Sequence, residues 1–234
     1  MLTYHIYSFE SNELSKHEEL LTRVINRGYN VPRFKYNIIL SPRIKNSIKE
    51  DLMIKYPNKS YLILAFSDKD ANIDETDNAS IAREKFIHTN NGLDLLNDLS
   101  SSNVLIDKSA GGENELHFPI NAESKILGMC GLKPHDPGYE ITSFVSFYPR
   151  IGSNIIDKLE KFAKTSIGNE EIWVLAISEH ELRELYEKFG YVYKNKVLIS
   201  VTANNGGCLD EKLENDIEAS QDFHLDVLVK QLYN

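Results

Sequence analysis

The chain has 234 residues, 41% of them hydrophobic, with 26 Lys and Arg against 35 Asp and Glu for a formal net charge of −9. That size suits one domain with insertions around a sizeable core, and the acidic balance argues against nucleic acid, which needs clustered Lys and Arg, while being compatible with a cationic amine. Two cysteines, Cys130 and Cys208, are too few for a disulfide framework, and no run of eighteen apolar residues or signal-peptide pattern is present. The expectation is a protein of a reducing compartment, cytoplasmic with the nucleus as a second location, without a membrane partner.

In chain order, Thr3 to Phe9 reads as a strand, and Leu14, Leu20, Leu21, Val24 and Ile25 predict a helix from Glu13 to Arg27 that Gly28 ends. A turn through Pro32 and the aromatic-basic stretch Arg33 to Tyr36 lead to a second predicted helix, Arg43 to Lys55. Tyr61 to Phe66 and Lys125 to Leu132 are apolar strands, the second with Gly128 and Gly131 marking a bulge or a close backbone approach. Residues 68–124 between them exceed a hairpin connection and read as an insertion. It opens on an acidic run, Asp68 to Asp77, carries predicted helices at Ala79 to His88 and Leu93 to Leu99, and closes on Ser109 to Gly112. Such a segment is either a solvated loop or a lid over a binding site.

The most legible stretch is Tyr139 to Tyr191. Tyr139 to Phe147 is a predicted strand with Tyr139, Ile141, Val145 and Phe147 on one face and Glu140, Thr142 and Ser146 on the other. Pro149 to Asn154 breaks it and opens a helix whose Ile151, Ile155, Ile156, Leu159, Phe162 and Ala163 recur at helical spacing. The first turn, Arg150 to Asn154, offers unpaired backbone N–H groups and a partial positive charge to an anion, with no side chain on Gly152 to block approach; a phosphate or pyrophosphate fits there. Ile172 to Ile177 is a continuous apolar run, read as a parallel strand buried on both faces. His180 to Phe189 is a predicted helix with Leu182, Leu185 and Phe189 apolar, Tyr186 beside that stripe, and Gly190 as its stop. Val192 to Val201 and Phe223 to Val229 close the chain as a hairpin with a long polar loop.

Ile151-Gly152-Ser153 running into Ile155-Ile156-Asp157-Lys158-Leu159-Glu160, and above all Leu185-Tyr186-Glu187-Lys188-Phe189-Gly190-Tyr191, resemble the GNAT superfamily of acetyl-CoA-dependent N-acetyltransferases. The resemblance implies an α/β fold of the α+β type. Its central sheet would be mixed and mostly antiparallel, flanked by helices, with two parallel strands at the cofactor cleft and Tyr61 to Phe66 antiparallel to Lys125 to Leu132. It implies acetyl-CoA as co-substrate, held by Ser143, Phe144 and Val145 along the strand, by Arg150, Ile151, Gly152, Ser153 and Asn154 at the turn, and by Glu179 and Tyr186. Of the family's glycine pattern only Gly152 is kept; Arg150 and Phe147 fill two of its other positions.

The same resemblance makes Tyr186 the candidate general acid and Glu140 the candidate general base, with Glu179 and His180, at the end of the second parallel strand, as alternatives for the base. Backbone N–H groups near Ser143 to Val145 would receive the oxyanion. Tyr29, Phe34 and Tyr36 are candidate contacts to an amine acceptor, which is either a small molecule or a protein. The seven histidines show no ligand spacing, so no metal is expected. A homodimer is compatible with the sequence. Two alternatives stay open: a catalytically inactive module on the same fold, and a dinucleotide-binding βαβ unit, weakened because no G-x-G-x-x-G occurs.

Overall fold

A computed structural model describes residues 1–68, 102–201 and 217–232. The predicted helices at 79–88 and 93–99, Cys208 and most of the final loop lie outside these residues. Eight strands form one sheet in the order β3-β1-β2-β4-β5-β6-β8-β7. They are β1 Leu2–Ser8, β2 Tyr61–Ser67, β3 Asn103–Ile106, β4 Ile126–Pro134, β5 Tyr139–Ser146, β6 Glu171–Ile177, β7 Val192–Ile199 and β8 Phe223–Gln231. The pairs β1/β3 and β5/β6 are parallel and all the others antiparallel. The expected mixed sheet, the β2/β4 neighbours and the closing β7/β8 hairpin are all present. The parallel edge strand β3, inside the stretch read as an insertion, is an addition. Its connection is anchored by buried Asp107, which accepts from the Leu116 amide at 2.7 Å, and by Phe118, stacked on His17 with ring centroids 4.3 Å apart.

The described α-helices are α1 Asn12–Lys16, α2 Glu18–Tyr36, α3 Ile48–Asp51, α4 Ala122–Lys125, α5 Ile151–Phe162 and α6 Arg183–Lys188. Two expectations about them are corrected. Gly28 does not end a helix: α2 runs on through Gly28 and Pro32 to Tyr36, capped by Asn37 in the left-handed region at φ 54°. The reason is tertiary. A Cβ at Gly28 would stand 2.3 Å from Val145 Cγ1, so the glycine lets α2 lie directly on β5, and Pro32 merely withholds the N–H that would bond the Gly28 carbonyl. The predicted helix from Arg43 to Lys55 shrinks to the four residues of α3, because the Asp51 carboxylate accepts from the amides of Lys45 at 2.6 Å and Asn46 at 2.8 Å and so holds the preceding segment as a loop.

On the other face α5 packs against β4 and β2. Its Ile151, Ile155, Ile156, Leu159 and Phe162 are all buried, as their spacing predicts. β6 is not buried on both faces as expected. Ile172, Val174 and Ala176 are buried while Trp173, Leu175 and Ile177 are half-exposed, because that second face looks into open clefts rather than onto a helix. The helix predicted from His180 begins only at Arg183, since Ser178–His180 forms a 3-10 turn and Glu181 takes φ 58°. Within it Tyr186 is the buried side chain and Leu185 is exposed, reversing their expected places.

Candidate active site

The site begins where two strands part. β5 and β6 share only two paired positions, Tyr139↔Ile172 and Glu140↔Trp173. Beyond them the strands diverge, and the inner edge of β5 from Ile141 onward is left without a strand partner. A bulge accentuates this. The β4/β5 register slips between Met129 and Gly131, where Ser143 adopts φ 44° in mid-strand. Gly131 makes room for it: a Cβ there would lie 2.8 Å from Ser143 Oγ.

The extra residue exchanges the faces of the strand. Glu140 and Thr142 point to the α2 side, where Arg43 donates to Thr142 Oγ1 at 3.5 Å. Val145 joins them against Gly28, while Phe144 and Ser146 turn to Gly152 on α5. The unbroken alternation expected for Tyr139 to Phe147 is therefore wrong after Thr142, since one inserted residue inverts every later side chain.

The opening is a cavity of about 580 Å³ that runs between the first turn of α5 and the α2 face. At the α5 end Arg150 is the N-cap residue, with φ 70°. It holds the left-handed conformation that favours glycine, at a cost on the order of 1 kcal/mol. Ile151 donates to the Tyr148 carbonyl at 3.4 Å and Asn154 to the Arg150 carbonyl at 3.2 Å, leaving the Gly152 and Ser153 amides without a backbone acceptor. Arg150, Gly152 and Ser153 line the cavity. The lack of a side chain at Gly152 does not serve the ligand alone: a Cβ there would approach Phe144 Cζ to 3.0 Å and Ser146 Cβ to 3.3 Å, so the glycine also seats α5 on β5. Phe147 is 5% exposed and belongs to the core as well as to the cavity wall.

Tyr186 lines the middle of the cavity, within a ring cluster formed with Phe144, Phe189 and Tyr191. Burial pushes its phenol well above the usual range, with Tyr29 and Cys130 adding to the effect, so it carries its proton at neutral pH. His180 also lines the cavity. It is 9% exposed, stacked on Tyr36 at 4.9 Å, and its Nε2 has no hydrogen-bond partner among the described residues. Burial lowers its pKa to about 4 against the opposing pull of Glu179, which keeps the imidazole neutral.

Glu179 is placed differently. Its carboxylate accepts from the His224 amide at 3.1 Å and contacts His224 Nδ1 at 2.9 Å, and it does not reach the cavity. Ser143 presents its side chain to Gly131 rather than to the opening. Of the three aromatic acceptor candidates, Tyr29 lines the cavity. Phe34 sits under Arg33 at 5.2 Å, and the Tyr36 hydroxyl donates to the His180 carbonyl at 3.1 Å, so neither lines it.

At its far end the cavity meets a second cleft of about 650 Å³, with Lys133, Glu140, Leu175 and Leu225 in the walls of both. Glu140 is the charged centre of that junction. Lys133 Nζ lies 3.5 Å from one carboxylate oxygen and His135 Nδ1 3.6 Å from the other. Lys133 also donates to the Leu52 carbonyl at 3.2 Å. The sequence reading missed Lys133, His135 and Trp173. The available signal was the hairpin itself: Lys133 and Glu140 face each other across the β4/β5 turn, and Glu140 pairs with Trp173. Among the described residues no group of three or more His, Cys, Asp and Glu side chains is arranged to hold a metal ion.

Comparison with known proteins agrees with this architecture. Residues 4–232 match the family described as sporulation protein RMD6. Sporulation protein RMD6 of Saccharomyces cerevisiae is 28% identical over 223 residues, covering 92% of this chain and 87% of that protein. A probable acetyltransferase from Staphylococcus epidermidis superposes with a TM-score of 0.51 over 99% of both chains at 9% identity, which shows a shared fold. A GNAT-family acetyltransferase from Staphylococcus aureus gives 0.49 at 12% identity over 98% of this chain and 99% of that one.

Proposed function

This chain belongs to the RMD6 sporulation-protein family and has a GNAT-like fold, and from that premise we propose that it is an acetyl-CoA-dependent N-acetyltransferase. The observation that carries the reading is the parting of β5 from β6 after two paired residues, which opens a cavity from the first turn of α5 to Glu140. The Gly152 and Ser153 amides and the Arg150 guanidinium take the pyrophosphate. The pantetheine arm lies along β5, where the amides freed from β6 pair with it as a strand would.

The acceptor amine approaches from the second cleft. Glu140 takes a proton from the ammonium, the free amine attacks the thioester carbonyl, and the C–S bond of the tetrahedral intermediate breaks. The departing sulfur receives the Tyr186 proton, the proton still carried by the attacking nitrogen passes to solvent to leave the neutral amide, and solvent reprotonates Tyr186. Lys133 and His135 position the base, and His180, in the same cavity with an Nε2 unpartnered among the described residues, is the second candidate for that role. No metal enters these steps. We place the reaction in the cytoplasm.

The test is release of free coenzyme A thiol from acetyl-CoA in the presence of a panel of amines. With a productive acceptor, Glu140→Gln should lower kcat by roughly 10²–10³ while leaving the affinity for acetyl-CoA unchanged. Tight acetyl-CoA binding with no transfer to any amine would contradict the catalytic assignment and leave a binding module on the same fold.

A further inference from the structure

The second cleft carries a charge pattern opposite to that of the chain as a whole. The protein has nine more acidic than basic groups, yet among the described residues the charged side chains lining this cleft are Lys55, Lys133 and Lys194 against the one carboxylate of Glu140. Lys133 is already committed to Glu140 and to the Leu52 carbonyl. Lys55 and Lys194 are exposed lining residues of the cleft, contributed by the α3–β2 connection and by β7, and neither forms an ion pair with a described residue. The apolar lining comes from Met53, Trp173, Leu175, Val197, Leu225 and Val227.

A polyamine would need several carboxylates to replace the water around its several charges, and it meets one, already flanked by Lys133 and His135. A ligand with a single amine, an anionic group and an apolar body matches each part of the cleft. The amine is drawn to Glu140, the anion to Lys55 and Lys194, and the body to the Trp173 wall. We propose that this cleft binds an amino-acid-like acceptor, a small molecule bearing one amine, one carboxylate and an apolar or aromatic side chain. The volume of about 650 Å³ suits a molecule of that size. The inference rests on the proposed transfer reaction for its biological meaning, although the binding it claims does not depend on acetyl-CoA.

The experiment is calorimetric titration of the full chain, without acetyl-CoA, with phenylalanine, phenylalaninamide and spermidine as probes. Phenylalanine should bind at least tenfold more tightly than its amide and than spermidine. Raising the salt should narrow the difference, since Lys55 and Lys194 are exposed. The Lys55→Gln/Lys194→Gln double variant, whose unchanged melting temperature shows that it is folded, should bind acid and amide alike. Equal or tighter binding of the amide or of spermidine, or no binding of phenylalanine at millimolar concentration, overturns the proposal. Phenylalanine binding in a protein that does not bind acetyl-CoA would sustain it and overturn the transfer reaction instead.

Discussion

Three residues hold conformations or contacts that their types do not suggest, and each serves the cavity. Gly28 lies inside α2, where a glycine is worth about 1 kcal/mol less than alanine. It is retained because Val145 occupies the place of its missing Cβ. Gly28→Ala should therefore destabilise the fold by about 1–3 kcal/mol instead of stabilising the helix. The loss should be largely recovered in Gly28→Ala/Val145→Ala, which chemical denaturation would measure. Equal losses in the single and double variants would show that the contact is not the cause. Ser143 and Arg150 sit at positive φ at the two ends of the path from bulge to helix. At this scale the sequence concealed the essentials: a glycine and a proline four residues apart read as helix breakers, and a serine in a β-branched strand gives no sign of a bulge, because both outcomes are decided by what packs across from them.

At the scale of elements, the β5-α5-β6 unit was legible because an amphipathic helix advertises its buried face through spacing alone, and Ile151 to Phe162 does so without interruption. The parting of β5 and β6 was not legible, since pairing ends where hydrogen bonds stop and not where composition changes; the resemblance implied only that the two strands run parallel at the cofactor cleft. The wall that Lys133, His135 and Trp173 give the second cleft is assembled from β4, the β4/β5 turn and β6 and has no local pattern. The α5 end of the cavity can be tested by itself. Arg150 is exposed and already left-handed, so Arg150→Glu should leave the melting temperature within about 2 °C of the parent, since a substitution at an exposed position changes stability little. It should nevertheless weaken acetyl-CoA binding at least tenfold by setting a carboxylate against the pyrophosphate. An unchanged affinity would place the phosphates elsewhere.

For the whole molecule, burial is the leading cause of a lowered pKa at three imidazoles among the described residues, His5, His135 and His180. His5 and His180 both fall from about 6.5 to about 4, burial being the larger cause in each. Between those values the unfolded chain binds more protons than the folded one, so stability rises with pH across the window. It is complete above pH 6.5 and is lost as the pH falls toward 4, by about 3 kcal/mol at most for His180. Melting temperatures measured from pH 7.5 to 4.5 should fall progressively, and His180→Gln should flatten the slope. A parent profile that is level across this range would contradict the burial assigned to these rings.

The central claim is that the opening between β5 and β6 is an acetyl-CoA site, and calorimetric titration of the full chain with acetyl-CoA tests it most directly. The account predicts one site per chain, with a melting temperature raised by roughly 5–10 °C at a hundredfold excess over the dissociation constant, the equivalent of about 2.7 kcal/mol. No heat of binding and no thermal shift at millimolar acetyl-CoA would contradict it.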